Sequence, residues 1–276
     1  MRLKTLLGDH PVTRALKSGQ VSSNEISFDF ADVKVPNTAF KRVVRDLEFD
    51  VAEIAIMTFL LAKAHGKPLR LLPAVVTARS QHPFLVYSAA RGVLSPEHLN
   101  GSRVGLRSYS VTTATWMRGI LADDYGLDLE RVKWVSFEES HVAEFEDPPN
   151  VERAPAGKDL IAMLLAGELD AAIVGEVPAD GRLQPVIPAP EGAARRWRDK
   201  HRAIQINHVV VLRDGVKPAV GDEVYRMLSE SQKAAGSPEM NPFGIEENWR
   251  NLEVAIDCAH RQRMIPRRFA VEELFR

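Results

Sequence analysis

Residues 103–126, RVGLRSYSVTTATWMRGILADDYG, place a guanidinium and a run of hydroxyls where a helical pattern opens. Arg107 is followed by Ser108, Tyr109 and Ser110, then by Thr112 and Thr113. The free N–H groups and the positive dipole end of a helix start attract anions. Guanidinium grips a carboxylate in a bidentate fashion. This combination suits an anion site; it equally suits a surface turn with an ordinary cap. A second set of titratable residues falls at the ends of apolar runs. It comprises Asp9 and His10, Glu53, and Arg79, Ser80 and His82, with His208 inside a later run.

Apolar periodicity supplies the elements that must hold these residues. Residues 103–106 read as a strand, and Trp116, Met117, Ile120, Leu121 and Tyr125 form the stripe of a helix packed on a sheet. Gly126 stops that helix, and residues 132–137 form the next strand. Upstream, strands are predicted at 3–7, 26–30, 50–56 and 69–76. Helices are predicted at 11–17, from Asn37 onward and at 58–65. This strand–helix alternation predicts an open, mostly parallel sheet. Such sheets take ligands at the carboxyl ends of their strands, where Asp9-His10, Glu53 and Arg79-Ser80-His82 would converge.

Further along, residues 84–88 read as a strand, 158–166 as a helix, 171–174 as a buried strand and 208–212 as a last strand. Helices follow at 222–233 and 245–263. The loop 138–149 carries Glu138, Glu139, His141, Glu144 and Glu146 and reads as solvated and mobile rather than as a metal site. Residues 178–200, rich in Pro, Ala and Gly, read as a connector. The basic runs 195–198 and 261–268 read as solvated surface.

Composition narrows the function classes. With 276 residues, 45% of them apolar, the chain can bury a sizeable core as one large or two small domains. A net charge of −1 gives no bulk reason to expect nucleic acid or an anionic membrane as partner. The one cysteine, Cys258, excludes a disulfide framework and a multi-cysteine metal site. The N-terminal apolar run breaks at Gly8-Asp9, too early for a secretory signal. No apolar run reaches the roughly 18 residues of a membrane span. A cytoplasmic location is the expectation, and self-association as a homo-oligomer stays open.

Two α/β halves, with the chain crossing near 83–90 and returning near 204–212, resemble the type II periplasmic-binding-protein architecture. LLAGELDAAIVGE, residues 164–176, is similar to a second-lobe passage of that superfamily. FDVAEIAIMTFL (49–60), GLRSYSVTTATWMRGILADDYGLDLERVKW (105–134) and IPRRFAVEELF (265–275) resemble the 4,5-dihydroxyphthalate decarboxylase family. The resemblance implies a two-lobed α/β fold. Lobe one would span 1–87 plus 204–276 and lobe two 88–203, each a mostly parallel sheet flanked by helices, with a ligand cleft between them.

It also implies loss of CO₂ from an electron-rich aromatic dicarboxylate, with no cofactor and no metal. That chemistry needs cations for two carboxylates, a base and an acid. Arg79 and Arg107 are the candidate clamps and His82 the candidate acid. Asp9 or Glu53 is the candidate base, and His10 and His208 are further alternatives. Ser80, Ser108, Tyr109, Thr112 and Thr113 would line the substrate. Trp116 would either stack on its ring or belong to the core. The competing readings are a solute-binding module for a small carboxylate and a menaquinone-pathway type of enzyme on the same fold.

Overall fold

The alternation of apolar runs and amphipathic helices builds two α/β units in the computed structural model, which describes residues 1–276. In chain order the first elements are β1 (Arg2–Leu6), α1 (Pro11–Lys17), β2 (Ser27–Phe30), α2 (Phe40–Val44), β3 (Val51–Ala55), α3 (Ile56–Ala64) and β4 (Leu69–Ala78). The middle of the chain forms β5 (Leu85–Ser88), β6 (Arg103–Leu106), α4 (Thr112–Tyr125), β7 (Lys133–Ser136), β8 (Val151–Arg153), α5 (Leu160–Ala166), β9 (Ala171–Ile173), β10 (Leu183–Pro185) and α6 (Pro190–His201). The chain closes with β11 (Ile206–Arg213), α7 (Pro218–Ala234) and α8 (Ile245–Arg261). No helix is long and apolar enough to cross a membrane.

The first unit comprises Met1–Arg79 and Ala203–Arg276. Its sheet has the order β2-β1-β3-β11-β4. β1 pairs in parallel with β2 and β3, as strand–helix–strand units require. β11 returns from the far end of the sequence and runs antiparallel between β3 and β4. The sheet is therefore mixed, where the local alternation of the first 80 residues predicts a mostly parallel one. Local pattern cannot show a strand that arrives more than 120 residues later. β4 lies at the edge, which lets it carry Pro73 without losing a ladder bond. Leu3, Leu16, Leu72, Val210, Leu212, Val224 and Leu228 are among the residues of one core cluster. β3 is buried at all five positions, although its sequence is VAEIA.

The second unit, Ser80–Arg202, has a sheet of order β10-β5-β9-β6-β7-β8. β9, β6, β7 and β8 are mutually parallel; β5 runs antiparallel to both β9 and β10. Val86, Val135, Leu164, Leu169 and Ala172 fill its core. The boundary falls between Arg79 and Ser80, not after residue 87, because β5 pairs with β9 and β10 rather than with the first sheet. Two expectations for connecting segments also change. The 178–200 connector contains β10 and a full helix, α6, opened by a proline at its first turn. Within the basic run, Trp197 is buried edge-on against Trp116, 5.9 Å between ring centroids. In the acidic loop, Ser140, His141 and Val142 are buried while Glu138, Glu139, Glu144 and Glu146 stay exposed. The middle of that loop is packed in place.

Gly126 ends α4 in the left-handed conformation, with φ 64° and its N–H donating to the Leu121 carbonyl. An L side chain there costs about 1–2 kcal/mol. Gly126→Ala should therefore lower unfolding free energy by that amount in urea titration, with an unchanged m-value.

Candidate active site

Glu53 sits at the centre of β3, a strand otherwise apolar, and its side chain is fully buried. Burial alone penalises an ionised carboxylate strongly. Three donors compensate. The Gly8 N–H reaches Oε2 at 2.7 Å. His10 Nε2 lies 2.9 Å from both carboxylate oxygens. His208 Nδ1 lies 2.6 Å from Oε1. Burial pushes the Glu53 carboxyl upward, but the hydrogen bonds from His10 and His208 outweigh it. The net position is well below the usual carboxylate range, at about 2.

Strand register explains the convergence. Glu53 faces Val210 and Ala55 faces His208 across the β3–β11 ladder. Positions two apart share a face of the sheet, so His208 is the diagonal neighbour of Glu53. β11 is irregular against β4 around His208, and such bulges re-aim side chains. The Phe40 ring meets the His208 ring edge-on at 5.2 Å.

The third wall is the turn after β1. A Cβ on Gly8 would stand 2.5 Å from His10 Nε2 and 2.9 Å from Glu53 Oε2, so the close approach needs glycine. Thr13, fully buried on α1, fastens this turn. Its Oγ1 accepts from the His10 N–H at 2.9 Å and donates to the Gly8 carbonyl at 2.7 Å.

An ionised carboxylate only accepts hydrogen bonds. Glu53 therefore sets the protonated nitrogen of each neutral ring: Nε2 on His10 and Nδ1 on His208. The other nitrogens, Nδ1 of His10 and Nε2 of His208, are left as acceptors. Both side chains reach solvent, at 21% and 19% exposure. The arrangement can accept a proton at an imidazole and stabilise the resulting cation against a fixed anion.

Asp9 does not join it. Lying between Gly8 and His10, it turns outward and its carboxylate sits 3.4 Å from Arg14. Arg79 lies two residues beyond Thr77, the β4 partner of His208, and its backbone N–H donates to the Gln205 carbonyl. The second unit holds the remaining predicted residues. Ser80 is exposed. His82 is 1% exposed, with neither ring nitrogen hydrogen-bonded. Burial lowers its pKa to about 4, so the ring is neutral near pH 7 and holds no spare proton to donate as an acid.

At the start of α4, Ser108 and Ser110 are buried, and Ser110 Oγ donates to Ser140 Oγ at 2.9 Å. Arg107 is partly exposed, 3.8 Å from Glu138. Thr112 is buried and Thr113 half-buried. Tyr109 is buried beneath Arg118, whose guanidinium stacks 3.6 Å from the ring centroid. Trp116 is 1% exposed, so it belongs to the core and has no face for a substrate ring. Its 3–4 spacing with Ile120 put it on the buried stripe. No group of side chains is placed to hold a metal ion, in the acidic loop or elsewhere.

Sequence reading missed three supports. Thr13 carried a weak signal, standing three residues after a helix-capping position. Arg118 carried none: a fully buried arginine on α4, donating to the Tyr109 carbonyl at 2.8 Å, looks like a surface charge in the sequence. Ser140 was hidden within the acidic loop.

Two curated proteins share sequence with this chain. A 4,5-dihydroxyphthalate decarboxylase from Comamonas testosteroni is 24% identical over 232 residues, 77% of this chain and 68% of its own length. Another 4,5-dihydroxyphthalate decarboxylase, from Pseudomonas putida, is 28% identical over 210 residues, 71% of this chain and 81% of its own length. The chain is a sequence relative of the 4,5-dihydroxyphthalate decarboxylases. No family model matches it. Among solved structures, the alkanesulfonate-binding protein SsuA from Xanthomonas axonopodis pv. citri, bound to MOPS, aligns with a TM-score of 0.61 and 13% identity. That alignment covers 99% of this chain and 97% of that one. The likeness shows the fold: a periplasmic-binding-protein-like α/β architecture.

Two titrations follow. His82 has a depressed pKa, so as pH falls from about 6.5 toward about 4 the unfolded chain takes up a proton that the folded chain refuses. Stability is lost across that window, and His82→Leu should flatten it. Glu53 is also depressed, so its contribution is complete above about 4.5 and is lost as pH falls toward about 2. Urea unfolding at stepped pH should show Glu53→Gln losing less stability than wild type below 4.5.

Proposed function

We propose that this chain is a carboxy-lyase that removes CO₂ from a dihydroxylated aromatic dicarboxylate such as 4,5-dihydroxyphthalate, giving protocatechuate without a cofactor. The observation that carries the reading is the sequence relationship, over 71–77% of the chain, to two proteins that bear that name. The Glu53–His10–His208 cluster supports it, because the reaction needs a base at a phenolic hydroxyl.

In this reading His208 Nε2 takes the proton from the hydroxyl para to the departing carboxylate. Electron density moves into the ring, and the ring carbon bearing that carboxylate takes a proton from a second acid. The C–C bond then breaks, its electron pair returns to the ring, CO₂ leaves, and the phenolate oxygen takes its proton back from the His208 imidazolium. Overall, one carboxylate and one proton become one ring C–H and one CO₂. Glu53 stays ionised throughout and stabilises the imidazolium. Arg79, at the end of β4, is the proposed partner of a substrate carboxylate. In the second unit, Arg107 with Ser108, Thr112 and Thr113 is proposed as an anion-binding feature of its own.

The test is CO₂ release from 4,5-dihydroxyphthalate by the purified protein, before and after dialysis against a chelator. Equal activity is expected. His208→Gln should lower kcat by about 10²–10⁴-fold, the range of general acid–base catalysis. Arg79→Ala should mainly raise KM, since a clamp on a carboxylate holds ground and transition states alike. Activity lost to the chelator and restored by metal would overturn the cofactor-free chemistry. Binding of the acid with no CO₂ release between about pH 5 and 9 would instead assign the chain to carboxylate binding.

A further inference from the structure

We propose that the cleft between the end of α4 and the second half of α6, within the second unit, is a binding site for a small monocarboxylate with an apolar body. The inference goes beyond the decarboxylase reading and uses no residue of the Glu53 cluster.

The cleft encloses about 380 Å³ and is lined by Asp124, Tyr125, Ala193, Arg196, Trp197 and Lys200. That volume is within the range of small-molecule pockets. Arg196 and Lys200 stand one turn apart on α6 and share a face of it. Lys200 is already committed, since its Nζ donates across to Asp124 on α4 at 2.6 Å. Arg196 has no ion pair or hydrogen bond within the chain, and its guanidinium lies back over Gly192. The Tyr125 hydroxyl and the Trp197 indole N–H also have no partner in the chain, although Trp197 is only 5% exposed. Burial, with the neighbouring Asp124, pushes the Tyr125 phenol above its ordinary pKa, so it remains a donor. Three uncommitted donors thus line one cleft, and its one carboxylate is paired with Lys200.

Charge selects the ligand. Two cations and one carboxylate leave a single positive charge among the lining residues. One substrate-sized carboxylate neutralises it, gripped bidentately by Arg196; a dianion would overshoot. Ala193 and the rings of Tyr125 and Trp197 offer apolar wall to the rest of the molecule. Asp124 lies about 18 Å along the axis of α4 from Thr112 by helical rise, so the cleft is separate from the Arg107–Thr113 feature.

Benzoate is the probe, titrated into the full chain by calorimetry and followed by ¹H–¹⁵N NMR of the tryptophan indoles. Arg196→Gln should weaken benzoate by about tenfold or more, and Tyr125→Phe by about three- to tenfold. Arg195→Gln, at an exposed arginine outside the lining, should change affinity by less than about twofold. The Trp197 indole resonance, identified by its loss in Trp197→Phe, should shift with benzoate in wild type and stay still in Arg196→Gln. Benzamide, neutral and of the same shape, should bind about tenfold more weakly or worse. Acetate, which lacks the apolar body, should do the same.

A benzoate affinity and an indole shift that ignore Arg196→Gln overturn the proposal. Benzamide binding as tightly as benzoate also overturns it, because the cleft would then be a plain apolar groove. So does acetate or inorganic phosphate matching benzoate, which would mean a bare oxyanion site. Arg196 is exposed and Tyr125 half-buried, so their variants keep the fold; should Trp197→Phe fold poorly, the calorimetric comparison stands without it. No readout here needs turnover, so failure of the decarboxylase reading leaves this test intact.

Discussion

One carboxylate in a strand buried along its whole length is the constraint around which the first unit is arranged. Without donors, Glu53 would be an isolated charge in an apolar sheet, a situation proteins avoid by neutralising the group. Here the chain brings a backbone N–H and two imidazoles to it from two segments far apart in sequence, the turn at residues 8–10 and β11. Each segment bears a mark of that demand. The turn after β1 must have glycine at position 8. α1 must begin where Thr13 can fasten His10. β11 must run beside β3 in a register that leaves His208 diagonal to Glu53.

Much of the fold is legible in the sequence, because helices and strands advertise themselves by period. α1 is read at its full extent, 11–17, and the glycine stop of α4 falls at Gly126. What escapes is set by pairing over long distances. The antiparallel entry of β11 between β3 and β4 turns a parallel sheet into a mixed one. The allegiance of β5 moves the boundary to Arg79/Ser80. The three-residue strands β8 and β10 are too short to show a period. α6 hides behind its small residues, with only Ala193, Ala194 and Trp197 buried.

The functional residues follow the same division. Glu53, His10 and His208 stand out as polar residues within or beside apolar runs, but nothing in one dimension says that they share a hydrogen-bonded centre. Asp9, adjacent to His10 in sequence, shows how little adjacency means: one residue of turn sends it to the surface beside Arg14. Arg118 shows the converse. Its charge suggests solvent, yet it lies stacked on Tyr109 inside the second unit and bonds the backbone ahead of α4. Charge predicts exposure only when no carbonyl and aromatic face await it.

The same energetics divide the chemical labour within the cluster. A carboxylate held at about 2 by its donors is a feeble base, because basicity falls as pKa falls. What makes Glu53 tolerable in the core thus also weakens it as a base. The three donors spend its lone pairs on structure. The imidazoles are left with one nitrogen fixed by Glu53 and the other free to accept, on rings that still touch solvent. In the proposed reaction the proton therefore goes to a histidine that satisfies the buried anion and not to Glu53 itself. Glu53 orients two acceptors and waits, already charged, for the cation that either becomes.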